Sequence, residues 1–339
     1  MGHCRLAVLF VLTYWTAFTG FSFAEEIPVS IEERPTTTEQ QPAIKEEKRP
    51  YTLTVGVREW ISQGRSAHNI GAPDGHPNVL SELNWRGMNS VITEVNADLV
   101  VHRFVVTGSI GYGTIGGGTL RDQDWDGDNR TQKTFETLSR SNDGSALIFS
   151  LTPGVRAFQW TAEGNPVLGG IDFLLGYQYW RETYAAYGAQ NIFPGGRDTP
   201  SSVNALTQTN TWQSLRLGTR ITVPILSRLA LKGSVFYIPV TSYRNEDVHH
   251  LRTSGPDALR QNPSFLTTTS GGNGVQLEGA LSVRVWRQLT LEGGYAYWDI
   301  RSGSGIVQAY PASGGVVQET HNVDNTRRQG VFFGVNWIF

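Results

Sequence analysis

Two short motifs in this 339-residue chain place acids, and one imidazole, at spacings suited to hydrolysis. One is Asp122-Gln123-Asp124-Trp125, the other Asp247-Val248-His249. Residues i and i+2 on an extended backbone share a face. Asp122 and Asp124 therefore point the same way, as do Asp247 and His249. If the strands carrying them close into a barrel, both motifs reach the same rim. Three carboxylates and an imidazole would then face one another across a cleft, enough for general-base hydrolysis.

The elements that must position these residues are β-strands. From Tyr51 to the C-terminus the sequence alternates with period two. Val275, Leu277, Leu281, Val283 and Val285 point one way, Gln276, Glu278, Ser282 and Arg284 the other. Leu215, Leu217, Ile221, Val223 and Ile225 likewise oppose Ser214, Arg216, Arg220 and Thr222, and Leu289, Leu291, Tyr295 and Tyr297 oppose Thr290 and Glu292. Such alternation needs one apolar and one polar environment. Hydrophobic residues make up only 39% of the chain and its mean hydropathy is −0.27, while Gly, Trp, Tyr and Phe are abundant. A membrane barrel has this profile because its apolar face is hidden in alternate residues.

About ten strands are expected, an even number, joined alternately by short turns and long polar segments. The short turns fall near Val101-His102, Glu163-Gly164-Asn165-Pro166, Ser227-Arg228 and Arg287-Gln288. The long segments are Ser62–Asn78, Gly116–Asp143, Pro194–Asn210, Asn245–Asn273 and Arg301–Asp324. The fold class is thus an all-β transmembrane antiparallel barrel with long extracellular loops, spanning residues 51–339. Its strands look longer than the ~9–11 residues that cross a bilayer, so it should project beyond the outer surface. Val331, Phe333, Val335, Trp337 and Phe339 alternate to a terminal aromatic, which resembles the assembly signal of outer-membrane barrels. Trp160, Trp286, Trp298 and Tyr310 lie near strand ends, where an interfacial aromatic girdle would sit.

Residues 1–24 read as a signal peptide: Arg5, an apolar run from Leu6 to Phe21, and a cleavage site at Ser22-Phe23-Ala24. Residues 25–50, rich in Glu, Pro, Thr and Gln, read as a disordered periplasmic linker. The single cysteine, Cys4, precedes the apolar run, so no disulfide, thiol nucleophile or thiolate metal site is expected in the mature chain. A net charge of −2 gives no reason to expect nucleic acid as a partner.

On these motifs the sequence resembles the omptin family of outer-membrane aspartyl-type endoproteases. Those are ten-stranded barrels with Asp-x-Asp-Trp in the second extracellular loop and Asp-x-His in the fourth. Ser81-Glu82-Leu83-Asn84-Trp85 and Gly176-Tyr177-Gln178 add to the likeness, which runs loosely from Tyr51 to Phe339. The resemblance implies a peptide or protein substrate, with His249 as general base on a water and Asp247 orienting the imidazole. It implies too that one of Asp122 and Asp124 stays protonated and donates to the water or the developing oxyanion. It implies an outer-membrane location with the active site facing outward, no cofactor, and lipopolysaccharide as an activator held in part by Tyr177 and Arg181. Tyr177, Tyr179 and Trp180 read equally well as girdle aromatics. Where the family carries an acid of its basic-side-chain pocket, two residues before Asp247, this chain has Asn245.

Other signals are weaker. Asp122, Asp124, Asp126 and Asp128 resemble the start of a calcium loop, but Lys133 stands where a bidentate acid is needed. His68, His76, His102 and His321 show no partner at ligand spacing and read as surface residues, so no metal site is expected. Arg121, Arg130, Arg327 and Arg328 read as solvated or phosphate-pairing groups of the outer loops. A non-enzymatic barrel, either an adhesin or surface-structural protein or a narrow porin, is the alternative to the protease.

Overall fold

The computed structural model describes residues 51–161 and 168–339. The signal peptide, the linker and the turn expected at 163–166 lie outside these residues.

The described chain is thirteen antiparallel strands in one sheet that closes on itself through pairing of β1 (Tyr51–Gly71) with β13 (Val317–Ile338). Around the ring follow β2 (Ser81–Val101), β3 (Phe104–Gly116), β5 (Thr131–Thr161), β6 (Leu168–Asn191), β7 (Thr199–Leu226), β8 (Leu229–His249), β10 (Gly272–Arg284), β11 (Leu289–Ser302) and β13. The other three continue neighbours toward one rim. β4 (Thr119–Gly127) prolongs β3 between β2 and β5, β9 (Phe265–Ser270) prolongs β10 beside β8, and β12 (Gly305–Ala309) prolongs β11 beside β13. Thirteen strands therefore make a ten-stranded wall. The long segments expected at this rim are present, built mostly as strand, and β5 reaches 31 residues. That is roughly three times the ~9–11 residues needed to cross a bilayer, so much of the wall stands clear of the membrane.

The outward face marks where lipid ends. Val55, Val57 and Ile61 on β1 are exposed and apolar, and Gln63 and Arg65 follow them toward the rim. On β13 the outward series Val335, Phe333, Val331 gives way to Gln329 in the same direction. The alternating sets read from the sequence lie as expected, with Val275, Leu277, Leu281, Val283 and Val285 outward and Gln276 and Ser282 buried inside.

The interior is filled. Its lower part holds charge networks. Arg58 lies 2.8 Å from Glu94 and 3.0 Å from Glu278, and Arg220 lies 3.1 Å from Asp98 and 2.8 Å from Asp172. These border a polar cavity of about 240 Å³. Above it, Trp60, Trp180, Trp298, Ile92, Ile148 and Phe332 form a layer almost without solvent contact, with ring centres 4.8 Å apart for Trp60–Trp298 and 5.5 Å for Trp180–Trp298. Trp298 is thus not a girdle residue. Facing polar neighbours on the lumen side, it supplies apolar packing; Trp286, 74% exposed, suits the girdle reading.

Between the membrane part and the rim the inward-pointing set changes from one parity to the other. Ile115 points inward on β3, but Leu120 does so on β4, across Gly117 and Gly118 with φ of +78° and +99°. Neighbouring β2 changes in the same place, from Met88 to Trp85 across Gly87 (φ +67°), and β5 changes from Ala146 to Ser141 across Asp143 (φ +54°). Elsewhere around the ring β8 changes from Ile238 to Thr241, β10 to β9 across Gly271 and Gly272 (φ +93° each), and β13 from Asp324 to His321. Glycine tolerates these left-handed conformations at little steric cost, and bulges re-aim side chains at barrel rims.

Candidate functional site

Asp122 and Asp124 sit on β4, third around the ring, and Asp247 and His249 end β8, seventh around it. Each pair is aimed by the change of parity on its own strand. Without it, the inward set of β3 would continue through Arg121 and Gln123. Asp122 pairs in register with Leu83 and Thr137, Asp124 with Ser81 and Phe135, so both acids are held between two strands. Asp122 and Asp124 are half-buried, as is Gln123 between them, while Arg121 is exposed. Asp247 is 2% exposed, pairs with Gln208 and Phe265, and its Oδ1 has no hydrogen-bond partner.

The charge of Asp247 reaches Asp122 across the cleft. Burial, then the charge of Asp124, then that of Asp247 push the Asp122 carboxyl well above the usual range, with Arg252 opposing. Burial also raises Asp124, against a hydrogen bond from Ser81 and the charge of Arg252. Burial lifts Asp247 to about 6, held back by the charge of His68 and helped by that of Asp324. His249 is pushed down to about 3 by burial, then by Arg252, His250 and His68. At neutral pH the cleft therefore holds an ionised acid at Asp247 and a neutral imidazole at His249, with Asp122 shifted toward its protonated form.

The expected dyad is not closed. Among the described residues no hydrogen bond joins Asp247 to His249. The His249 ring instead meets Phe265 edge-on at 5.0 Å, and its backbone N–H donates to Ser264 Oγ at 3.0 Å. His250 is tied to Thr207 Oγ1 at 2.9 Å, which leaves His249 as the cleft-side ring. Asn245, at the family's acidic position, is fully buried and donates to Asn210 Oδ1 at 2.8 Å. Glu246 pairs with Arg244 on the outer face.

Several residues read as surface groups are elsewhere. His68 and His321 are 4% and 0% exposed. His68 Nδ1 lies 3.0 Å from both oxygens of Asp324, which it faces in the β1–β13 register. His321 Nε2 lies 3.4 Å from Asp324 Oδ2 and 3.0 Å from Ser302 Oγ, and the two imidazoles stack with centres 5.4 Å apart. The expectation that no histidine has a partner at ligand spacing is thereby corrected. His321 and Asp324 are three apart, which in a regular strand would put them on opposite faces; the parity change between them puts both inside. Glu319 on β13 also belongs to the cleft, since its charge is felt by Asp124 and His68. Arg252, in the 250–264 connection, is the cation that Asp122, Asp124, Glu319 and His249 share.

Arg328 is another correction. It is fully buried, 2.6 Å from Glu182, and donates to Ser90 Oγ and the Met88 carbonyl. Arg121, Arg130 and Arg327 pair with Glu136, Glu82 and Asp299. His76 is exposed as expected but bonds Asp128 at 2.8 Å, fastening the tip of the β4–β5 hairpin to the 72–80 connection. Asp126 points outward from an extended strand, so the four acids do not converge as a calcium loop requires. His102, exposed, forms the β2–β3 turn with φ +56°. Tyr177 and Arg181 share the outward face of β6, with Tyr177 Oη donating to Gln213.

The family model of the Protochlamydia outer membrane proteins (Pom) matches residues 52–263, a span that includes both motifs. No curated protein matches the chain by sequence. Among solved structures it is similar to the outer membrane protease OmpT of Escherichia coli, at 15% identity and a TM-score of 0.69, over 86% of this chain and 98% of that one. A FadL homologue of Pseudomonas aeruginosa matches at 8% identity and a TM-score of only 0.27, over 86% and 90%. The first likeness is one of fold: an outer-membrane β-barrel.

Proposed function

The chain belongs to the Protochlamydia outer membrane protein family, and from that premise we propose that it is an outer-membrane endopeptidase of the omptin type. The observation that carries the reading is the placing of Asp122 on the third and Asp247 on the seventh strand of the ring, both on rim extensions of the wall, with the charge of Asp247 felt at Asp122. A peptide lying in the cleft would meet protonated Asp122, which donates to the scissile carbonyl oxygen. Water between the walls would be attacked for its proton from the β8 side, where Asp247 is ionised and His249 neutral. His249 with a pKa of about 3 is a weak base on its own. Substrate binding would need to bring a carboxylate to its ring, as catalytic hydrogen bonds often tighten only in the bound complex. Asn245 in place of an acid, and Arg252 within the cleft, argue against a strong preference for basic side chains. The cleft would face the extracellular side, because short turns close the opposite end. Tyr177 and Arg181 would touch lipopolysaccharide from the outward face of β6.

A second reading, a non-enzymatic surface barrel, is favoured by the open Asp247–His249 pair. One experiment separates the two. The full chain is folded in detergent, supplemented with lipopolysaccharide and given a mixed peptide library. Cleavage that disappears in both Asp124→Asn and His249→Ala supports the peptidase; no cleavage, or cleavage that survives both changes together, sinks it.

A further inference from the structure

The His68, His321 and Asp324 cluster is not used by the proposed hydrolysis. Its side chains come from β1 and β13, the strands whose pairing closes the barrel. All three are buried, and their ligand atoms lie within 4.8 Å of one another. We propose that His68, His321 and Asp324 bind one divalent transition-metal ion of the zinc class in the wall of the cleft.

The donor set is two imidazoles and one carboxylate, with no thiolate, which suits Zn²⁺ and its first-row neighbours and not calcium or magnesium. The spacing fits as well. Bonds of about 2.0–2.1 Å around a tetrahedral ion put neighbouring donors roughly 3.3 Å apart. The observed separations from Asp324 are 3.0 Å to His68 and 3.4 Å to His321. Ser302 supports the carboxylate residue by accepting the Asp324 backbone N–H at 2.8 Å.

Two further observations point to a cation. Asp247 Oδ1 and Glu319 Oε2 are buried carboxylate oxygens without a hydrogen-bond partner. Asp247 and Glu319 are also close enough for their charges to act on His68. Water would complete the coordination, and the cation would offset the excess of acids over bases around it. The ion takes the place of the proton between His68 and Asp324, so that proton leaves as the metal enters. The exposed His76–Asp128 pair offers only two donors and serves as a control.

The test uses the untagged full chain, folded in detergent and stripped with EDTA, titrated with Zn²⁺ alone and then with Co²⁺. One equivalent of Zn²⁺ should bind with micromolar or tighter affinity. Co²⁺ should give the intense visible bands of a four- or five-coordinate site. His321→Gln and Asp324→Asn should each weaken Zn²⁺ binding at least tenfold while keeping heat-modifiable migration, and His76→Ala should leave it unchanged. No saturable Zn²⁺ binding by the wild type, a pale octahedral Co²⁺ spectrum, or equal affinity in folded His321→Gln and Asp324→Asn would each overturn the proposal. The measurement reads binding, so its outcome is separate from that of the peptide library.

Discussion

Replacing Asp247 by asparagine should make the barrel more stable at pH 8 and leave it unchanged at pH 4. Asp247 is 2% exposed, and burial raises its pKa from 3.8 to about 6 in spite of His68 nearby. Each tenfold change in proton affinity is about 1.4 kcal/mol, so the ionised group costs the folded state about 3 kcal/mol. The sign follows from linkage. The folded pKa is raised, so folding favours the protonated acid. The cost is absent below pH 3.8, grows between 3.8 and about 6, and is complete above 6. Asparagine has nearly the same shape and no charge, and so escapes it. The assay is urea unfolding in lipid vesicles with EDTA, followed by the fluorescence of the nine tryptophans of residues 51–339. Wild type and Asp247→Asn should differ by about 3 kcal/mol at pH 8 and by nearly nothing at pH 4. A variant less stable than wild type at pH 8 would refute the reasoning, because it would mean that the Asp247–His68 attraction outweighs desolvation.

Three further outcomes are expected. His249→Gln should match the wild type at pH 8 and exceed it by about 3 kcal/mol at pH 4, because the unfolded imidazole is protonated there while the buried ring, with a pKa of about 3, is not; the same urea titrations check it. Arg328→Met should destabilise by about 3–5 kcal/mol by leaving Glu182 buried without its cation, and adding Glu182→Gln should recover most of the loss. Wild-type protein in a planar bilayer should give no conductance steps, whereas Trp60→Ala with Trp298→Ala, which opens the aromatic layer, should give them.

The membrane half of the fold was readable because its two faces meet different solvents. Lipid outside and a polar lumen inside write themselves as alternation, as at Val275 to Val285. Toward the rim both faces are wet, so the period-two signal fades and strands such as β4 and β9 read as loops. The two motifs were legible from their residue types and from the alternation of short turns and long segments, which put both on one rim. Their inward aim depended on left-handed residues before β4 and on a register irregularity in β8, whose effect on side-chain parity no local pattern announces. A register shift beside β13 hid the His321–Asp324 pair, whereas Arg328 and Trp298 keep the regular inward alternation of β13 and β11 and were misread from their residue types and place near strand ends. His68 and Asp324 meet only because the first and last strands pair, 256 positions apart, and nothing near either residue signals the other.

The band of left-handed residues from Gly87 through Gly118 to Asp143 works like a frame boundary in a gene. Whether a rim residue serves the cleft or the solvent depends on how many positions separate it from that boundary, not on its own neighbours. Gly118 is fixed there, since a Cβ would come within 2.7 Å of the Arg86 carbonyl oxygen. Adding one residue between Gly118 and Asp122 would turn Arg121 and Gln123 inward and send both acids to the outside, without touching a lipid-facing side chain. The cleft can therefore be rewritten in one step while the membrane wall keeps its sequence, and homologous rims should be aligned from this boundary upward.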